Sequence, residues 1–400
     1  MPALWNRGLS RRGFTRSIGL AAVAAASRPT FADDGLAARR TEAVRRGMDW
    51  LRSLQGDDGG WRSTAYPQLG QGPAGTALAL WAAATVHRSG IAPLDEEPWK
   101  SSVERAGRLF SAGLNRDGAP AAPDGTLDFP TYAAAMGLIA ARRFPALLDE
   151  PTTRRLRGYL IAAQCAARRR IAPNHPDHGG WDLFGGETVG ITSGTNVSIT
   201  RLVLQGLNDA AEAETEAVRA AARGWLARCY DSVDGPAAHG IAFSPDGPSL
   251  NNKALWTDAA KTRPRAYGSS TCDGLLAMQS AGEMDAAARR RFAAAVAWLV
   301  AQKELENVPG FADAPPELGW AEGLRFYFFG ALAECLPVAP EAWAEERAGS
   351  LTRLLVAEQR PDGSWKRDSS RMREDDPLVA TAFALVALAE IERFVRRTKG

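Results

Sequence analysis

Apolar residues recur at three-to-four spacing along most of this chain, in two alternating kinds of segment. One kind mixes them with Arg and Glu, as in Glu42-Ala43-Val44-Arg45-Arg46-Gly47-Met48-Asp49-Trp50-Leu51. The other is nearly free of charge, as in Ala74-Gly75-Thr76-Ala77-Leu78-Ala79-Leu80-Trp81-Ala82-Ala83-Ala84. Both patterns predict helices. A mixed segment has one face for water, whereas a uniformly apolar one must be packed on more than one side. The pairs therefore read as an outer helix followed by an inner helix. Between them stands a short acidic Gly turn that delivers a Trp, Gly56-Asp57-Asp58-Gly59-Gly60-Trp61.

This unit occurs six times. Unit one runs from about Glu42 to His87. Unit two has Val103 to Phe110, the turn Asn115-Arg116-Asp117-Gly118 and a second helix from Thr131 to Ala140, with Pro120 where a Trp would stand. Unit three has Arg157 to Gln164, His178-Gly179-Gly180-Trp181 and a helix after Ser193-Gly194-Thr195-Asn196. Unit four has Arg223-Gly224-Trp225-Leu226, a long insertion through Lys261, and Gly268 to Met278. Unit five has Ala297 to Gln302, Leu318-Gly319-Trp320 and Gly323 to Cys335. Unit six has Leu354 to Gln359, Pro361-Asp362-Gly363-Ser364-Trp365 and Thr381 to Leu388. No unit can bury its apolar face alone, so neighbours must stack. Neither end carries a polar cap, which predicts that the last unit packs on the first. The expected fold is all-α: six helix hairpins closed into an (α/α)6 toroid.

The turn has a physical task. Gly permits the positive φ that ends a helix, and Asp before it suits turn chemistry. The Trp then covers the helix end. The preceding Gln is placed to bond the loop backbone or the start of the next helix.

Arg46-Gly47, Trp50-Leu51, Gln55 and Gly59-Gly60-Trp61, with Gln359 and Gly363-Ser364-Trp365, resemble the QW repeat of squalene–hopene and oxidosqualene cyclases. That fold is shared with protein prenyltransferase β-subunits. The resemblance implies six inner and six outer helices around a central cavity over residues 40–392. Class II terpene cyclases carry an Asp-x-Asp-Asp element whose middle Asp protonates an alkene or epoxide. Here Arg373-Glu374-Asp375-Asp376-Pro377 stands nearest to it, with Arg in the first Asp position, so Asp375 is the candidate acid and an acidic helix cap is the alternative. The prenyltransferase zinc pattern, Asp-x-Cys with a later His, is not intact: Cys272-Asp273 is adjacent and reversed, and no His follows.

In such a toroid the starts of the inner helices ring one mouth of the cavity. Thr76, Tyr132, Asn196, Asp273, Glu322, Arg325 and Thr381 fall there. Asp273 and Glu322 sit on adjacent inner helices and are candidates for general acid–base work, against the alternative that each caps a helix. Tyr132, Asn196 and Arg325, with Trp181 and Trp320 from the loops, are expected to contact a cavity ligand. His175, Asp177 and His178 cluster in the unit-three loop and have the residue types to hold a divalent metal; no other cofactor is evident. The segments 171–191 and 231–265 are long for a helical array and suit a lid or recognition surface.

Composition narrows the partners. The chain has 400 residues, 45% of them apolar, and a formal net charge of +2, so nothing marks it for nucleic acid. Residues 1–32 read as a removable address. Ser10-Arg11-Arg12-Gly13-Phe14 is a twin-arginine signal, followed by a short apolar run from Ile18 to Ala26 that cannot span a membrane. Cleavage is expected before Asp33, or alternatively after Ala26. Without residues 1–32, which hold five arginines and no acid, the remainder of the chain carries −3. The expectation is a periplasmic or extracellular toroid, residues 33–400, that holds a small molecule, lipid, glycan or peptide in its cavity. A lyase, hydrolase or terpene-cyclase activity at the same mouth is the alternative. Four cysteines in an exported chain leave two readings, a Cys165–Cys229 disulfide or four buried thiols.

Overall fold

The computed structural model describes residues 34–399 except 123, 125–127, 186–193, 211, 234–238, 246–252, 257–259, 261–262, 304–306 and 312–318. Residues 36–400 form one compact unit; the expected signal segment lies outside the described residues. Thirteen α-helices and no strand occur among the described residues. Outer helices are α1 (Asp34–Ser53), α3 (Trp99–Ala112), α5 (Glu150–Ala163), α7 (Glu212–Asp231), α9 (Ala286–Ala301) and α12 (Glu341–Glu358). Inner helices are α2 (Pro73–Ser89), α4 (Pro130–Arg143), α6 (Val197–Gly206), α8 (Gly268–Ser280), α11 (Arg325–Cys335) and α13 (Pro377–Lys399). The thirteenth, α10 (Trp320–Gly323), is the start of inner helix five, cut off from α11 at Leu324.

The inner helices pack in sequence, α2 on α4, α4 on α6, α6 on α8, α8 on α11 and α11 on α13, and α13 returns to α2. The ring is closed, as the missing polar caps predict. The inner helices are buried nearly all round while the outer ones bury one face. Pro at the first position starts α2, α4 and α13, and Asp149, Asn196 and Asp285 cap α5, α6 and α9 with their side chains.

The turn is built the same way three times. The indole N–H of Trp61, Trp181 and Trp365 donates to the outer-helix carbonyl of Leu51, Leu160 and Leu355, each at 2.7 Å. The backbone N–H of the same Trp donates to a Thr hydroxyl on the following inner helix: Thr76 at 3.0 Å, Thr200 at 3.3 Å and Thr381 at 3.0 Å. The Gln amide donates twice, once to its own turn and once to the next outer helix. Gln55 reaches Gly59 and Ser102, Gln164 reaches Gly179 and Val218, and Gln359 reaches Gly363 and, across the ring closure, Ala43. Gln therefore bridges neighbouring outer helices through carbonyls; it does not cap the next helix's N-terminus. Gly179 and Gly363 adopt φ of 100° and 94°, and a Cβ on either would lie 2.2 and 2.6 Å from a carbonyl of the adjoining outer helix. Only glycine fits there.

A further latch is present that the repeat pattern does not announce. Each outer helix extends an arginine onto the preceding unit. Arg105 meets Gln55, Arg155 meets Leu114, Arg228 meets His178, Arg291 meets Asp231, Arg347 meets Gln302 and Arg46 meets Pro361. In unit four, Ile241 takes the Trp position, its N–H donating to Thr271 at 3.1 Å.

Ring closure should respond to single changes in unit six. Trp365→Ala is expected to cost about 3–5 kcal/mol by leaving a cavity. Gln359→Ala should cost about 1–3 kcal/mol by stranding two carbonyls. Urea unfolding of both variants checks the order; equal, negligible losses would contradict the stapled closure.

Candidate functional site

One end of the inner ring holds a half-open pocket, with a cavity volume of about 120 Å³. Its wall is apolar and aromatic: Ala74, Leu78 and Trp81 come from α2, Met136 from α4, Leu202 from α6, and Val379 and Phe383 from α13. Phe383 packs edge-on against Trp81 at 6.4 Å and against Tyr327 at 5.2 Å. Tyr132, Tyr327 and Arg373 complete the wall. An apolar cavity of about 150 Å³ holds a benzene-sized molecule, so this one takes a single ring or a short run of methylenes.

Behind the two tyrosines runs a buried polar chain. Tyr132 donates to the Ser198 hydroxyl at 3.1 Å, and Ser198 bonds the Tyr327 hydroxyl. Tyr327 donates to Asp273 Oδ2 at 2.7 Å, and Arg201 Nη1 donates to Asp273 Oδ1 at 2.9 Å. Arg201 also pairs with Glu334, which accepts from Gln205 at 3.0 Å. Burial opposes the charge on Arg201, but Glu334 and Asp273 outweigh it and hold the guanidinium well above its usual range. Burial pushes the Asp273 carboxyl up, with Arg201 and Tyr327 pulling it down. Asp273 thus addresses the cavity through Tyr327, both of its oxygens being engaged.

Glu322 does not join it. The break at Leu324 leaves Glu322 exposed on α10, so the two acids form no pair in the cavity. Arg325 is buried, pairs with Glu358 and lies 5.1 Å from the Phe329 ring. Trp320 stands beside Arg371 and Lys253. Trp181 is a staple, and Asn196 caps α6, accepting from the Ile199 amide at 3.0 Å. Thr76 and Thr381 are staple acceptors. Of the expected ligand contacts, Tyr132 lines the cavity.

The acidic element before α13 divides its labour. Glu374 reaches across to the start of α11, accepting from the Phe326 and Tyr327 amides at 3.0 and 2.8 Å; burial raises its carboxyl to about 8 against those bonds. Asp376 accepts from the Leu378 amide at 2.8 Å. Asp375 accepts from the Tyr66 hydroxyl at 2.5 Å; burial and Asp375 raise that phenol to about 12. The cap reading thus describes Asp376 and, across helices, Glu374.

In the unit-three loop Asp177 receives the Thr195 amide at 2.9 Å and the Thr195 hydroxyl. His175 Nδ1 accepts from the Asp177 amide at 3.1 Å, and burial, then Arg228 and His175, lower the His178 imidazole. Among the described residues no group of three His, Cys, Asp or Glu side chains is placed to share a metal ion. All four cysteines are buried free thiols, and Cys165 and Cys229 are not bridged.

Two residues at this end had no sequence signal of their own. Lys253 from the unit-four insertion places its ammonium 3.4 Å from the Phe243 ring centroid, and burial lowers it to about 7 against the pull of Asp273. Asp128 precedes Phe129 of the cavity wall and is buried, and neither of its oxygens has a hydrogen-bond partner among the described residues. Burial pushes its carboxyl up to about 6, opposed by the nearby Ala74 amide and by Arg373.

No protein-family model and no curated protein matches the chain. Solved structures match at the level of fold. The type II terpene cyclase MstE from Scytonema, in complex with merosterolic acid A, superposes with a TM-score of 0.57 at 14% identity, covering 90% of this chain and 99% of that one. The GH76A alpha-1,6-mannanase from Salegentibacter sp. HEL1_6 gives 0.53 at 13% identity over 89% and 99%. A protein from Actinoplanes gives 0.53 at 17% identity over 88% and 99%. The chain therefore has the α/α-toroid fold shared by these proteins.

The raised Asp128 carboxyl predicts a pH-dependent stability change. The folded chain favours its neutral form, so its contribution is complete below the ordinary carboxylate value near 4 and is lost as pH rises through about 6. Asp128→Asn should stabilise the protein by roughly 2 kcal/mol at pH 8 and by less than half of that at pH 4.5. Denaturant titrations at both pH values check this; equal gains would contradict it.

Proposed function

We propose that residues 33–400 form an exported binding protein that takes an apolar ligand into the central cavity, with residues 1–32 as its twin-arginine signal. The apolar, aromatic wall carries this reading, because a pocket of that composition gains by displacing water with hydrocarbon. Support comes from MstE, which is solved with merosterolic acid A and with geranylgeranyl dihydroxybenzoate. At about 120 Å³ the cavity is too small for a chain of twenty carbons as it stands, so the enclosed part of the ligand is short.

Binding is favoured over chemistry by the state of the nearby acids. No carboxylate lines the cavity among the described residues, whereas glycoside hydrolysis needs two flanking the scissile bond. The two carboxylates closest in role, Asp273 and Asp375, each receive a tyrosine hydroxyl.

Benzene added to the purified full chain should raise its melting temperature in proportion to occupancy. Leu78→Trp, which fills the cavity, should abolish that shift. A benzene response unchanged in Leu78→Trp would refute the assignment. For export, replacing Arg11 and Arg12 together by Lys should leave the precursor in the cytosol; undiminished appearance of the protein outside it would remove the twin-arginine reading.

A further inference from the structure

Arg373 is out of place in the cavity wall. Among the described residues it is the one formal charge in an otherwise uncharged lining, and its side chain makes no hydrogen bond and no ion pair with any of them. It lies instead against two aromatic faces, its guanidinium carbon 5.3 Å from the Tyr66 ring centroid and 4.8 Å from that of Phe129. Asp128 and Asp375 stand near it and neither is its partner. The Tyr66 hydroxyl engages Asp375, and Asp128 feels the charge of Arg373 without pairing with it.

The backbone adds an independent observation. Arg373 has φ of 58° and Phe129 has φ of 45°, both left-handed, and both residues line the cavity. Neither is a residue that adopts this region without cost. Two strained positions thus bring the guanidinium and one of its aromatic supports together at the cavity. A guanidinium stacked on rings keeps its edge free, and that edge presents parallel N–H donors matched to a planar carboxylate.

We infer that Arg373 is an anion anchor, and that the ligand is an amphiphile with an apolar body in the cavity and a single carboxylate on the Arg373 guanidinium. This rests on the reading of the cavity as an apolar-ligand site and names the chemical class of that ligand. A single head charge follows from the surroundings: Asp128 and Asp375 stand near the guanidinium, so each further negative charge on a head group, as on a phosphate or diphosphate, meets two carboxylates.

Calorimetric titration of the full chain with octanoate, 1-octanol and octyl phosphate tests the assignment. Octanoate should bind at least tenfold more tightly than 1-octanol, and more tightly than octyl phosphate. Arg373→Met keeps an apolar stem against the rings and should erase the octanoate preference while leaving 1-octanol affinity within twofold. Arg373→Lys, which keeps the charge without the fork, should retain part of the preference. Equal binding of octanoate and 1-octanol by the unaltered protein would overturn the anchor while leaving the apolar cavity standing, as would a preference that survives in Arg373→Met. Tighter binding of octyl phosphate would overturn the single-charge head group. Binding of none of the three would overturn both the anchor and the cavity reading.

Discussion

A tryptophan indole donating to the last turns of the helix before it is the contact on which the rest of this structure depends. In units one, three and six it fixes the angle at which the chain leaves the outer helix, and the Trp backbone N–H then fixes the start of the inner helix through a threonine. Gln and Arg carry the constraint sideways, each tying one unit to the next. Because every unit is tied to both neighbours, the units have no free end once Gln359 reaches Ala43 and Arg46 reaches Pro361. Closure is then a sum of local geometries, and the inner helices are left to meet at the centre with apolar sides facing each other.

That centre separates two environments that would destroy one another if mixed. Hydrocarbon and aromatic side chains line the cavity, while Arg201, Asp273 and Glu334 sit behind Tyr132 and Tyr327 in a network where each charge has a partner. A buried charge without such partners would cost several kcal/mol. The tyrosines form the boundary, presenting a ring to the cavity and a hydroxyl to the network. Arg373 breaks this separation, and so carries the ligand hypothesis.

The fold was legible because it is written six times. Spacing of apolar residues, the Gly turn and the absent caps each pointed to a closed ring, and the helices follow them. The site was legible only in part. Tyr132 lines the cavity because it stands in the first turn of an inner helix, a position that the repeat pattern locates. Glu322 was misplaced because nothing in the pattern announces the break at Leu324, and Trp181 was mistaken for a contact because its burial depends on the staple geometry. The arginine latches escaped because an Arg on an amphipathic helix looks the same whether it faces water or a neighbouring turn. Asp128 and Arg373 acquire their meaning from burial and from left-handed backbone, which no local spacing encodes.

Binding of an apolar ligand requires a space free of ordered water at one end of the inner ring. A crystal of the protein pressurised with xenon tests it most directly, since xenon enters apolar cavities and not hydrated ones. A xenon peak is expected between Trp81, Met136 and Phe383. Ordered waters bonded to Tyr132 and Tyr327 in that space, with no xenon, would contradict it.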